Sequence, residues 1–175
     1  MNEVIKNIKE RRSVRKFKAD MPSKADLEQI IEAGLYAASA KNHQGTIIVA
    51  VTNKELRDRI AEVNCEIFGW EKGFDPFYGA PAILIVLADK SWPNRVYDGS
   101  LVMGNMMLAA ESLGLANIWI HRAKEEFEKD EFKTILKDLG IEGEWEGIGH
   151  CAVGYADVES VPVPERKEGR VFWVE

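Results

Sequence analysis

The chain has 175 residues, of which 46% are hydrophobic, enough for one compact domain with a substantial core but too few for a second full domain. Its net charge of -6 argues against a nucleic-acid partner, because binding to a phosphate backbone needs a broad basic face. No apolar run approaches the roughly 20 residues that cross a bilayer, and the first residues lack the apolar stretch of a signal peptide. We therefore expect a cytoplasmic protein.

Positive charge is concentrated near the start of the chain. Residues 1–24 contain eight Lys and Arg against three acidic residues, a local net charge of +5, so the remainder carries -11. A second, smaller basic group near the other end consists of Arg166, Lys167 and Arg170. Two basic segments on an acidic body predict a localised anion site.

Helices and strands alternate in the first third of the chain. The predicted elements are a helix at 3–12 running into the basic segment 11–17, a helix from 23, a polar loop at 39–45, a strand at 46–52 and a helix from 53. Ser23 is a predicted N-cap, with Asp26 three residues on, and Asn53 is predicted to cap the next helix.

The same alternation continues to the end of the chain. The predicted elements are a Gly- and aromatic-rich loop at 69–79, a buried strand at 82–88, a helix at 98–113, a strand at 117–120, a helix at 127–139, a strand at 149–154 and a tail from 160. The loop is long enough for a lid. The helix at 98–113 is apolar nearly all round, which predicts burial on every side. The alternation by itself predicts a parallel α/β sheet.

Several common catalytic and binding motifs are missing. Gly99 and Gly104 have the spacing of a P-loop, but Asn105 stands where the lysine should be, and no GxGxxG or GxSxG sequence occurs. Cys65 and Cys151 are isolated from one another, which excludes a CxxC redox pair. The sequence therefore favours neither a nucleotide triphosphate site nor covalent hydrolysis.

The three histidines do not suggest a metal site. His43, His121 and His150 lack HxxxH or HExxH spacing and have no evident carboxylate companions in the sequence. His150 alternates within a predicted core strand and is interpreted as a core residue. We expect no metal.

Two polar segments resemble the flavin-binding motifs of one known family. The segment Arg11-Arg12-Ser13-Val14-Arg15-Lys16-Phe17 is similar to the opening signature of the nitroreductase family, in which an Arg-x-Ser-x-basic pattern binds FMN. Arginine forks and a hydroxyl suit phosphate oxygens. The segment 38–44 resembles the family's Pro-Ser-x-x-Asn-x-Gln loop, with Ala38 in place of the proline. Its amides suit a flavin, which presents both donors and acceptors.

The resemblance extends over nearly the whole chain. Gly79-Ala80-Pro81, Gly114-Leu115 and Gly154-Tyr155 follow the order found in the family, and Arg166-Lys167 resembles its C-terminal basic pair. The resemblance implies an α+β nitroreductase-like fold, with a mixed central sheet flanked by helices, in an intertwined homodimer. This implied fold replaces the parallel α/β sheet that the alternation of elements predicts. One domain would span 1–175, with 160–175 as a tail that contributes to the flavin site.

The resemblance also implies roles for individual residues. Arg11, Ser13, Arg166 and Lys167 would bind the phosphate, and Arg15 would lie near the N1–O2 edge of the ring. The strand end at 119–122 would pass beside N5, with the backbone N–H of His121 favoured over its imidazole and the part played by Arg122 left open. The full predicted cofactor set is Arg11, Arg12, Ser13, Arg15, Ser39, Asn42, Gln44, Trp119, Ile120, His121, Arg166 and Lys167.

The implied activity is that of an FMN-dependent oxidoreductase. Hydride would pass from NADH or NADPH through tightly bound FMN to a nitroaromatic, quinone or similar small acceptor, by a ping-pong mechanism and without a catalytic side chain. The helix at 98–113 would pair the two chains, and each site would combine residues of both. Two alternatives are a non-catalytic flavin storage or sensory module and an anion-binding domain that takes no flavin.

Overall fold

The computed structural model describes residues 1–175 and contains four strands and six α-helices. The strands are β1 (Thr46–Val51), β2 (Ala82–Asp89), β3 (Ala116–Ile120) and β4 (Trp145–Gly154). The helices are α1 (Glu3–Glu10), α2 (Lys24–Leu35), α3 (Lys54–Phe68), α4 (Arg95–Ser112), α5 (Ala123–Phe127) and α6 (Asp130–Asp138), with a 3-10 turn at Ala40–Asn42. None of these helices has the length and apolar character that a membrane crossing requires.

The four strands form one sheet in the order β1-β2-β4-β3, and every neighbouring pair is antiparallel. The α+β class is confirmed, but the parallel sheet predicted from the alternation is wrong. The sheet is also not mixed within the chain, since the one parallel pairing is an isolated bridge between Ser13 and Asn117.

The reason for the antiparallel order lies in the connection between β1 and β2. The 15-residue helix α3 carries the chain about 22 Å away. The long segment 69–81 then returns it, so that Ile83 at the start of β2 lies opposite Val51 at the end of β1. A short loop after α3 would have left the strands parallel.

The core lies on both faces of the sheet because β2 is buried from Ala82 to Ala88. Ile83, Ile85 and Leu87 pack in one cluster, which includes side chains of α3, α5 and α6. Leu84 and Val86 alternate to the other face, where side chains of α2 and α4 cover them.

Most local predictions agree with the structure, and the largest differences are in the helix predicted at 127–139 and in the last strand. The Ser23 hydroxyl accepts from Asp26 N–H at 3.0 Å, and Asn53 Oδ1 accepts from Leu56 N–H at 2.9 Å, which confirms both caps. The helix predicted at 127–139 is divided into α5 and α6, since Lys129 between them is extended. β4 begins at Trp145, not at 149, because Trp145 pairs with Asp89 of β2.

The long helix α4 is only partly covered. Val102, Met103 and Met106 are buried against the sheet and α2, but Tyr97 is 73% exposed and Leu101 is 51% exposed. The burial on every side that its composition predicts is therefore not reached within one chain.

Segment 69–79 is a series of turns held by specific contacts. Gly69 ends α3 in the left-handed conformation, with φ of 72°. Phe77 is fully buried, and the Asp75 carboxylate accepts hydrogen bonds from the N–H groups of Phe77 and Gly79 and pairs with Arg57. The middle of the segment is more exposed, at Trp70 and Phe74.

Candidate functional site

The basic segment 11–17 begins beside β3, where Ser13 forms an isolated bridge with Asn117, and ends beside Ala156, which pairs with Phe17. Val14 N–H donates to Asn117 O at 3.1 Å, and Arg11 Nη1 donates to Asn117 Oδ1 at 3.4 Å. Val14 and Phe17 are buried in the core, which anchors the segment. Ser13, which precedes Val14, is half-buried, and Arg15, between the two anchors, is exposed, with Arg15 Nη1 donating to Ser13 O at 3.5 Å.

Arg12 has a different environment from its neighbours. Its guanidinium donates to the carbonyls of Lys9 and Arg11, at 2.6 Å and 2.5 Å, so it caps the C-terminal end of α1. The structure thus places the Arg12 side chain on the protein backbone, while Arg11 reaches β3.

Asn117, Trp119 and His121 follow one another on the same face of β3 and its extension, because alternate residues of a strand share a face. The Trp119 and His121 rings lie 5.7 Å apart. Four residues of extended chain span about 13 Å, so this face runs from the Arg11 contact to the turn after Ile120.

A cavity of about 600 Å³ opens at the His121 end of this face. Its lining includes Phe68, Val96, Ser100, Trp119, His121 and Arg122. Trp119 can lie close to β4 only because residue 149 is glycine, since a Cβ there would stand 2.2 Å from the indole nitrogen. The predicted residues Trp119 and His121 therefore lie at one edge of a cavity, whereas Ile120 lies on the opposite face of β3 and is buried in the core.

The turn after β3 has an unusual backbone conformation. Arg122 is left-handed, with φ of 80°, which costs strain in a residue other than glycine. Its guanidinium donates to Glu125 Oε1 at 2.9 Å and lies 4.5 Å from the centre of the Phe68 ring. Burial opposes ionisation of Glu125, but backbone and Arg122 hydrogen bonds outweigh it and hold the pKa of Glu125 below its usual value.

Three buried polar residues lie behind this turn, of which the sequence indicated only His150, as a core residue. His150 Nε2 lies 2.6 Å from Glu126 Oε2, and Asn64 Nδ2 donates to Glu126 Oε1 at 2.7 Å. The expectation that the histidines lack carboxylate partners is thus wrong for His150, and His43 lies 3.6 Å from Asp89. Each carboxylate partner is distant from its histidine in the sequence, so the pairs could not be predicted from spacing. The one available signal was that Glu126 lies three residues after Ala123, on the buried side of α5.

The polar loop at 39–45 is ordered by its own side chains. Ser39 Oγ accepts from Gln44 N–H at 3.0 Å, and Gln44 Nε2 donates to Asn42 Oδ1 at 2.8 Å. Lys41, Asn42 and Gln44 all have φ between 51° and 54°. Three left-handed residues that are not glycine store strain, and strain of this kind concentrates at binding sites.

Helix α4 stands between this loop and the cavity of the same chain. The Asp98 carboxylate accepts from Ala40 N–H in the loop, whereas Val96 and Ser100 line the cavity. Two residues along an α-helix are about 200° apart, so Asp98 is on the opposite side of α4 from Val96 and Ser100. The structure therefore does not bring Ser39, Asn42 and Gln44 to the cavity within one chain.

The two basic residues of the tail are exposed. Arg166 Nη1 donates to Pro164 O at 3.3 Å, and no hydrogen bond or ion pair links Arg166 or Lys167 to another element of the chain. The structure thus places the basic segment 11–17 in contact with β3. The polar loop at 39–45, called the amide loop below, and the pair Arg166–Lys167 are separate from it.

The chain is similar to known proteins over most of its length. The model of the Nitroreductase family matches residues 8–69 and 68–155. A putative NADH dehydrogenase/NAD(P)H nitroreductase of Archaeoglobus fulgidus is 30% identical over 146 residues, which are 81% of this chain and 78% of that protein.

Two solved structures resemble the whole chain. A nitroreductase with bound FMN from Bacteroides fragilis is 31% identical, with a TM-score of 0.86 and complete coverage of both chains. A nitroreductase with bound FMN from Desulfitobacterium hafniense is also 31% identical, with a TM-score of 0.88 and the same coverage. The chain therefore belongs to the nitroreductase family.

Proposed function

We propose that this chain binds FMN and acts as an NAD(P)H-dependent oxidoreductase on a small acceptor. The observation that carries the proposal is the common face of β3, which leads from the Arg11–Asn117 contact to the cavity beside His121. The similar nitroreductases from Bacteroides fragilis and Desulfitobacterium hafniense contain FMN. The relative from Archaeoglobus fulgidus is named as a putative NAD(P)H nitroreductase.

The residues present fit the chemistry of FMN. Arg11 and Ser13 provide a cation and a hydroxyl for a phosphate at one end, and a cavity of about 600 Å³ lies at the other. The two ends are separated by about 13 Å along β3, a distance that a ribityl chain with its phosphate can span.

Each part of the site has a separate task. Bound FMN would supply the hydride chemistry, taking hydride from NADH or NADPH and passing it to a nitroaromatic, quinone or similar acceptor. Arg11 and Ser13 bind the phosphate, and Arg15 supplies positive charge for the pyrimidine edge of the ring. His121 acts through its backbone N–H, and no side-chain nucleophile takes part.

The proposal includes a homodimer with sites built from both chains. Since α4 separates the amide loop from the cavity of its own chain, Ser39, Asn42 and Gln44 serve the cavity of a second copy. The exposed Tyr97 and Leu101 of α4 provide apolar surface for this contact.

The first helix and the tail add further apolar surface. Val4 and Ile8 of α1 are 67% and 51% exposed, and Phe172 and Trp173 near the C-terminus are 85% and 84% exposed. Apolar side chains in these numbers favour burial against another chain. In this arrangement the single domain 1–175 ends in a tail, 160–175, which brings Arg166 and Lys167 to the phosphate.

The visible spectrum of the purified protein tests the proposal directly. We expect flavin bands in the near-ultraviolet and blue, or their appearance with a saturable spectral change when FMN is added to apoprotein. A protein that stays colourless and does not bind added FMN would be an anion-binding domain of another kind.

Steady-state kinetics then separate an enzyme from a flavin storage or sensory protein. With NADH or NADPH and a quinone or nitroaromatic, one site serving both partners in turn gives parallel double-reciprocal lines. Intersecting lines would contradict the ping-pong mechanism, and FMN binding without turnover would establish the storage alternative.

A further inference from the structure

We infer that Asn64, Glu126 and His150 form a positioning network that orients the backbone N–H groups of His121 and Arg122 toward the flavin. The inference rests on the proposed function, because the flavin is the acceptor that these N–H groups would meet. The three residues come from α3, α5 and β4, and all three are fully buried. None of them lines the cavity.

The network holds the carbonyl groups of two consecutive residues. His150 Nδ1 lies 3.1 Å from Ile120 O, and Asn64 Nδ2 lies 2.8 Å from His121 O. Glu126 joins the two side chains, since its Oε2 is 2.6 Å from His150 Nε2 and its Oε1 is 2.7 Å from Asn64 Nδ2. Both peptide planes of the turn are thus fixed from one side.

The chemistry of the partners determines where the hydrogens of His150 and Asn64 lie. A carbonyl oxygen only accepts, so His150 Nδ1 carries a hydrogen and donates it to Ile120 O. Both hydrogens of the Asn64 amide are used, one for His121 O and one for Glu126 Oε1, which fixes the amide orientation. One proton lies between His150 Nε2 and Glu126 Oε2.

The direction of the two N–H groups follows from the planarity of the peptide bond. The chain has no cis peptide, and in a trans peptide the C=O and N–H groups point in opposite directions. Because Ile120 O and His121 O point into the network, the N–H groups of His121 and Arg122 point away from it. No protein acceptor takes either N–H group.

Two further features show that the turn needs support. Arg122 is left-handed and strained. The start of α5 lies so close to β4 that a Cβ on Gly147 would stand 2.2 Å from Ala123 C and O. A turn confined from both sides keeps its donors in one direction.

Stability alone does not account for these residues. Burying an acid and an imidazole with no exposed surface is expensive, and apolar side chains of similar volume often stabilise a core as well or better. Retaining three polar side chains here is explained by the need to direct the turn.

The experiment compares Asn64→Leu with Glu126→Gln, in the full-length protein. Asn64→Leu removes both donors and keeps the branching and the number of side-chain heavy atoms, which leaves His121 O without its partner. Glu126→Gln keeps the connections, since the carbonyl of the new side chain accepts from Asn64 and its amide donates to His150 Nε2, which becomes an acceptor. Arg57→Leu is the matched control, because it breaks another buried network, at Asp75 and Ala80, that makes no hydrogen bond to residues 119–122.

The first measurement needs no flavin. In apoprotein, the amide ¹H–¹⁵N signals of residues 121 and 122 should shift or broaden in Asn64→Leu and stay near wild-type in Glu126→Gln and Arg57→Leu. The second is FMN affinity, which should fall about tenfold in Asn64→Leu and less than about twofold in Glu126→Gln, as expected for one lost hydrogen bond.

The third measurement is the midpoint potential, which a merely structural role would not move. A backbone donor to flavin N5, which carries no hydrogen in the oxidised state, favours the oxidised flavin. Asn64→Leu would disorient this donor, so it should raise the midpoint potential. A tenfold change in the affinity ratio of the two flavin states equals about 30 mV for a two-electron couple.

The outcomes are distinct. Unchanged amide signals and potential in folded Asn64→Leu would overturn the inference, as would equal changes in Arg57→Leu or a Glu126→Gln variant that behaves like Asn64→Leu. If Asn64→Leu does not fold, Asn64→Ser, whose hydroxyl is too short to reach His121 O, takes its place. Wild-type protein that binds no FMN would refute the proposed function, while the amide signals would still decide whether the network holds the turn.

Discussion

The carboxylate of Asp98 on α4 accepts a 3.0 Å hydrogen bond from the backbone N–H of Ala40, 58 residues earlier in the chain. Its other oxygen accepts from Trp92 Nε1 at 2.9 Å, and the Trp92 ring stacks on His43 at 4.1 Å. One buried acid thus fixes the start of the amide loop and the aromatic residue that covers it.

Replacing this acid is expected to weaken the flavin site. Asp98→Ala removes the support of a loop with three strained residues, so we expect lower FMN affinity, by about tenfold or more for a lost charge-assisted hydrogen bond. Fluorescence titration with FMN measures the effect, with Asp138→Ala, at an exposed position on α6, as the control. FMN affinity equal to wild-type in folded Asp98→Ala would show that the loop does not need this anchor.

Mixed dimers test whether both chains contribute to each site. One chain carries Asn42→Ala with Gln44→Ala, and the other carries Arg11→Ala with Arg15→Ala. In a heterodimer one of the two sites regains all of its residues, so FMN binding should recover to about half of the wild-type stoichiometry.

The control for this experiment is each damaged chain mixed with itself under the same exchange conditions. Heterodimer formation is followed by tagging one chain and isolating the mixed species. No regained FMN binding in isolated heterodimers would contradict the composite site, and a monomer in sedimentation would contradict the dimer.

The two arginines of the basic segment should differ in effect. Arg11 contacts β3 at Asn117, so Arg11→Ala should mainly weaken FMN binding, by about 1.5–3 kcal/mol for a charge-assisted contact. Arg15 is exposed beside Ser13, and Arg15→Ala should instead lower the flavin midpoint potential, since a cation stabilises the reduced anion. Potentiometry and FMN titration on both variants separate the two roles, and an unchanged potential in Arg15→Ala would refute the second.

Cys151 should be unreactive in the folded protein. Burial raises the pKa of its thiol to about 12, although the nearby Arg11 acts in the opposite direction. At pH 8 roughly one thiol in 10⁴ is then ionised, and the thiolate is the reactive form. Mass spectrometry after iodoacetamide treatment should find Cys151 modified only in unfolded protein, so rapid modification of native protein would show that the strand opens.

Much of the local structure could be predicted from short stretches of sequence. Ser23 and Asn53 cap helices because a side-chain oxygen needs only an N–H three residues away. The β-branched run of β1 and the apolar run of β2 form strands where predicted. The basic segment and the amide loop could be recognised because each depends on residues within a single run of seven.

Relationships between distant residues came only from the tertiary structure. Strand direction depended on how far α3 and the turns after it carry the chain, which no periodicity encodes. His150 acquired a carboxylate partner because α5 packs against β4, and the amide loop lies behind α4 because Asp98 holds it there. Local signals determine caps, helices and strands, whereas packing of elements decides which polar groups meet, since those contacts join residues that only the folded chain brings together.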